Sequence, residues 1–171
     1  MKGKLFSITI LFAAASALVT LVLFQTASAE DVSLQEQLLG SWILEEEILS
    51  MPGMDPHPSW GDNPYGFLSF DGKGYFSQIL ARSDLPSFSR RTAGTLEQND
   101  AVAKGLIAYY GEYTVNEAER RIDFTITGGT FTAFNGTNTA RTLPSISATE
   151  LVTVNNIGGG VVAEIRWRKA D

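Results

Sequence analysis

The chain has 171 residues, 44% hydrophobic and 19% charged, with no cysteine and a formal net charge of −6. That length suits one well-cored domain, and the absence of cysteine excludes disulfides, thiol catalysis, thiolate metal sites and a lipid-modified cysteine. Setting aside an N-terminal segment that contributes Lys2 and Lys4 and no acid leaves 11 basic against 19 acidic side chains, a formal −8. Such a charge repels phosphate backbones, so no nucleic-acid partner is expected.

Residues 1–29 read as a secretory signal peptide: a basic start, an apolar run from Leu5 to Phe24 and the small-residue ending Ala27-Ser28-Ala29. The run approaches membrane-spanning length, so a retained anchor is the rival reading. The small-residue ending and the lack of a basic flank favour cleavage. The expectation is an exported domain over 30–171, periplasmic or secreted, with no stable membrane insertion once the segment is removed.

A short amphipathic turn over 34–39 leads into segments of period two, separated by Gly, Pro, Asn and Asp. Strands are predicted at 41–49, 65–70, 74–82, 112–116, 121–127, 137–143, 150–155 and 161–168. Asp71-Gly72-Lys73-Gly74 is a tight-hairpin signal, and Asn116-Glu117-Ala118-Glu119 joins its neighbours directly. Eight strands in up-and-down order predict an all-β antiparallel barrel, whose closure removes exposed sheet edges. One helix interrupts the pattern. Thr95-Leu96-Glu97-Gln98 is a capping-box signal for a helix to about Ala108, with Val102, Leu106 and Tyr109 or Tyr110 on one face. That helix is either a lid or ordinary packing against the barrel.

Leu39-Gly40-Ser41-Trp42 places G-x-W at the start of the first strand. Asn63-Pro64-Tyr65-Gly66-Phe67-Leu68, Gln78-Ile79-Leu80-Ala81-Arg82, the run Ile107 to Ala118, Gly136-Thr137 with Arg141, and Arg166-Trp167-Arg168 follow in order. Over roughly residues 36 to 169 the chain resembles the bacterial and fungal lipocalin-like domain proteins. The resemblance implies a calycin-type barrel around a cavity, in a group mostly without assigned activity. It also implies that Trp42 closes the barrel base against an arginine of the last strand, Arg166 or Arg168. Family members often carry a histidine where this strand reads Ile122-Asp123-Phe124-Thr125-Ile126, so histidine-dependent chemistry is in doubt here.

His57 is the single histidine, in a proline-dense loop with Asp55 and Asp62. No second nitrogen ligand accompanies it, so neither a metal nor a catalytic relay is expected, and no cofactor is implied. In Glu45-Glu46-Glu47, alternation sends Glu46 to the side of Trp42 and Leu44, either as an interior acid or at a wet strand end. Arg141 stands among small and hydroxyl residues, either facing outward or holding a ligand anion with its planar fork. Tyr75, Gln78, Tyr109, Tyr113 and Phe124, with Trp60 leaning into the mouth, complete a lining of aromatic bodies and polar tips.

Three functions remain open at this point. One is binding of a small, largely apolar molecule, with or without an anionic group. Another is a cofactor-independent isomerase, cyclase or dehydratase using Glu46 or Asp123. A third is an interaction module acting through the proline-rich loop.

Overall fold

A computed structural model describes residues 32–171; the segment read as a signal peptide lies outside the described residues, apart from which the chain is a closed antiparallel barrel. The strands are β1 Gly40–Met51, β2 Met54–Pro58, β3 Tyr65–Phe70, β4 Tyr75–Ala81, β5 Leu106–Asn116, β6 Arg121–Gly129, β7 Asn138–Ile146, β8 Glu150–Gly158 and β9 Val161–Lys169. All but β2 pair in ring order, with β1 closing on β9, while β2 folds back on the far end of β1 as an outer hairpin. The eight ring strands are those read from the alternation, in up-and-down order.

Local chemistry sets the turns. Asp71 Oδ1 accepts from the Lys73 and Tyr75 amides at 2.9 and 2.8 Å, and Gly74 takes φ +90°, which completes the β3–β4 hairpin. Gly66 faces inward on β3, where a Cβ would come within 2.4 Å of Leu44 Cβ. Its bare backbone lets β1 and β3 close tightly.

The barrel base is sealed by helix α1, Leu34–Leu38, which is a single capped turn with Ser33 and Glu36 exchanging hydrogen bonds. Leu34 and Leu38 insert beneath the barrel, and the Leu38 carbonyl accepts from Trp42 Nε1 at 2.8 Å. The cation over the Trp42 ring is Lys169 Nζ, 4.1 Å from the centroid; Arg166 and Arg168 are exposed. Strand parity explains this correction: Trp167 faces inward, so 166 and 168 face out and 169 returns to the base. Lys169 also donates to the carbonyls of Leu39 and Gln37.

The second helix, α2, spans Leu96–Gly105 and ends before the expected Ala108. Thr95 forms the capping box with Gln98, but the helix buries only Gly105, and Leu96 is 85% exposed. The run Leu106 to Val115 is rich in β-branched and aromatic residues and joins the ladder as β5. Tyr109 therefore reaches the interior through strand alternation, and Tyr110 points out. The Gly105 carbonyl accepts from the Arg82 amide at 2.9 Å, marking the point where pairing to the end of β4 takes over from the helix.

Candidate ligand-binding site

Above the sealed base, a polar cluster interrupts the apolar interior. Arg141, inward on β7 and 3% exposed, reaches across the barrel to β4 and β5. Its Nη1 donates to Gln78 Oε1 at 2.7 Å and its Nη2 to the Tyr109 hydroxyl at 2.5 Å. Phe124 lies under the guanidinium, with 5.2 Å from Cζ to the ring centroid. Gln78 and Tyr109 are register partners on adjacent strands, which places both acceptors side by side.

These bonds satisfy part of the cluster only. Arg141 Nε and Gln78 Nε2 are buried donors without a partner, and among the described residues no carboxylate comes within ion-pair distance of Arg141. Tyr109 accepts from the guanidinium, which leaves its own O–H proton to donate. A cavity of about 590 Å³ opens here, walled by Arg141, Tyr109, Ile126, Phe134 and segments of β7 and β8. One edge of it therefore carries hydrogen-bond donors and a positive charge. The rest of the lining mixes apolar, hydroxyl and amide side chains with a second guanidinium, Arg121, which Glu119 and Asp123 hold.

Glu46 is not interior. Glu45 is an extra residue between the pairs Leu44↔Trp167 and Glu46↔Arg166, and this bulge reverses the alternation. Glu46 consequently pairs with Arg166 on the outer wall, and the interior acid is its neighbour Glu47, 8% exposed. Glu47 Oε1 accepts from the Ser59 hydroxyl at 2.7 Å. Tyr75 also faces outward, 54% exposed, because Phe76 takes the inward position on β4.

Tyr113 is buried, but its hydroxyl donates to the Asp71 carbonyl at 2.8 Å, so it braces the hairpin. Burial, then the Asp71 charge, raises its pKa and keeps it a donor. Trp60 is half-buried against the core, with its Nε1 buried and unpartnered. Of the sequence candidates, the structure gathers Arg141, Gln78, Tyr109 and Phe124. Sequence reasoning passed over Ile126, Phe134, Thr139 and Asn155; the last two follow from Arg141 by alternation on β7 and by register on β8.

The lipocalin-like domain model matches residues 39–170, nearly the whole barrel. The chain belongs to that family. Among solved structures, it is similar to a lipocalin-like protein from Bacteroides uniformis at 17% identity, covering 78% of this chain and 99% of that one, with a TM-score of 0.45. A redesigned β-barrel is similar at 11% identity, covering 80% of this chain and 95% of that one, with a TM-score of 0.41. No curated protein matches.

Within this lipocalin-like barrel, the carboxylates considered for acid–base work lie outside. Asp123 faces out on β6 and is held by Arg121 at 2.9 Å, as Glu46 is held by Arg166. His57 sits on β2, away from the cavity lining, with its Nδ1 3.2 Å from the Asp55 carbonyl. Among the described residues no three His, Asp or Glu side chains gather in a metal-holding group.

Proposed function

We propose that this lipocalin-like barrel binds a small, largely apolar molecule whose anionic group is held at Arg141. The fold and the family support a small hydrophobic ligand; the polar end is read from Arg141 itself. A guanidinium taken out of water costs several kcal/mol unless it meets an opposite charge, and neutral acceptors such as Gln78 and Tyr109 satisfy its N–H groups without supplying one. An anion about 4 Å away contributes about 4 kcal/mol at an effective dielectric constant near 20. Of the two guanidiniums that line the cavity, Arg121 is held by Glu119 and Asp123, and Arg141 has no carboxylate among the described residues. A single uncompensated charge suits a monoanion, carboxylate or sulfonate, over a dianion that would bring a second unpaired charge. Arg141 Nε, Gln78 Nε2 and the Tyr109 hydroxyl proton supply the donors for its oxygens.

Export of the protein, with cleavage after Ala29, belongs to the same reading and is supported by the sequence of residues 1–29 alone. Native mass spectrometry of protein purified without refolding tests the binding reading. The expected result is a small-molecule adduct on the wild type that Arg141→Met lacks; an adduct equally abundant on both would remove Arg141 from the site.

A further inference from the structure

One ladder of the closed barrel stops short of the ends of its two strands. β7 and β8 are paired from Ile146↔Leu151 to Arg141↔Asn155 and no further. Both strands nonetheless continue, β7 back to Asn138 and β8 on to Gly158. Each remains tied on its other side, Asn138 to Thr125 of β6 and Asn156 and Gly158 to Val162 and Val161 of β9. Ladder pairing is thus missing beyond Arg141 and Asn155, and the cavity opens along this unpaired stretch, a slot with those two residues at its vertex.

The sequence accounts for the missing pairing. Between Thr142 and Ser145 the β7–β8 register slips, and Pro144, which has no N–H to give the ladder, lies in that slip. A second slip between Asn156 and Gly158 bends β8 on the far side of the slot. Bulges re-aim strands, and here one precedes the gap within the paired stretch and one borders it on β8. The cavity walls include both edges of the slot, Asn138 to Ala140 and Asn156 with Ile157, together with the inward Tyr109 and Arg141. Ile157 stands at the rim, 58% exposed. Edge backbone groups left unpaired in a closed barrel call for water or a ligand to satisfy them.

Resting on the binding reading above, we propose that this slot is the route by which an anionic apolar ligand reaches Arg141, passing sideways through the wall between β7 and β8. The charged group then arrives at the vertex, where the unpartnered Arg141 Nε lies, and the apolar part follows along Thr139, Ile126 and Phe134.

The absence of native cysteine allows a direct test. In A140C/N156C, a short bismaleimide bridges the two slot edges; in S145C/V152C, it links the same strands where they are already paired and away from the cavity lining. The probe is cis-parinarate, a fluorescent fatty-acid carboxylate, followed by stopped-flow fluorescence. Linking A140C/N156C is expected to slow association at least tenfold when done on the empty protein, and to slow release at least tenfold when done on the loaded protein. Linking S145C/V152C should leave both rates within twofold of the unlinked variant. Unchanged rates in linked A140C/N156C, with parinarate still binding at equilibrium, would overturn the slot and assign access to the open mouth. Failure of parinarate to bind even the unlinked protein would instead contradict the binding reading, and the slot with it.

Discussion

Glu46 and Arg166 face each other on the outer wall of the barrel, Oε1 to Nε at 3.1 Å, because Glu45 bulges out of the β1–β9 ladder and turns the next residue around. Their roles follow from exposure. Both side chains are about half in water, so Glu46→Gln is expected to change stability by no more than about 0.5 kcal/mol. Glu47→Ala removes the buried partner of the Ser59 hydroxyl and should cost about 1–3 kcal/mol in urea unfolding. Equal effects from both substitutions would show that the bulge does not set the alternation.

Trp42 and Lys169 close the base together. Trp42 is fully buried, so Trp42→Ala should cost about 3–5 kcal/mol by emptying the space beside its cross-strand partner Leu68 and against α1. Burial lowers the Lys169 pKa, so its charge is already disfavoured there, and Lys169→Met should cost less than Trp42→Ala while leaving the Leu39 and Gln37 carbonyls to water. Thermal melts of both variants check the ranking. The reverse order would make the cation the main fastening of the base.

Asp71 confers an acid dependence on the β3–β4 hairpin. The Tyr75 amide, and then the Lys73 amide and ammonium, hold its carboxyl below the ordinary aspartate value of 3.8. A carboxyl with a lowered folded pKa binds fewer protons folded than unfolded, so its stabilisation is complete above 3.8 and is lost as pH falls through the lowered folded value. Asp71→Asn should therefore be less stable than wild type at neutral pH, and the gap should narrow as pH falls below 3.8. A gap that stays constant across that range would contradict the assignment.

Much of the fold was legible because its determinants are local. Asp71 and Gly74 define one hairpin within four residues, the Thr95 capping box starts α2 where expected, and period-two segments locate all eight ring strands. What escaped depends on partners distant in sequence. The Glu45 bulge exists only against β9, so alternation along β1 alone selected Glu46 in place of Glu47. Leu106 and Tyr109 continue the helical spacing of Val102, and only the pairing of Leu106 with Ala81 assigns them to β5 while Val102 stays in α2. The slot is likewise invisible in sequence, since it is a failure of two strands to continue pairing. The Arg141–Gln78–Tyr109 cluster joins three strands, and only closure brings them within reach.

The central claim is that Arg141 holds the anionic end of an otherwise apolar ligand. Isothermal titration of decanoate and of decanol into wild type and Arg141→Met, with unfolding of both proteins measured alongside, tests it most directly. Removing an uncompensated buried charge should leave the empty protein's stability nearly unchanged or raised. Decanoate should weaken by about 2–4 kcal/mol, roughly 30-fold to 1,000-fold, while decanol stays within about threefold. Equal decanoate affinity in the two proteins, accompanied by a loss of several kcal/mol in stability, would show that Arg141 serves the fold through Gln78 and Tyr109 and would contradict the account.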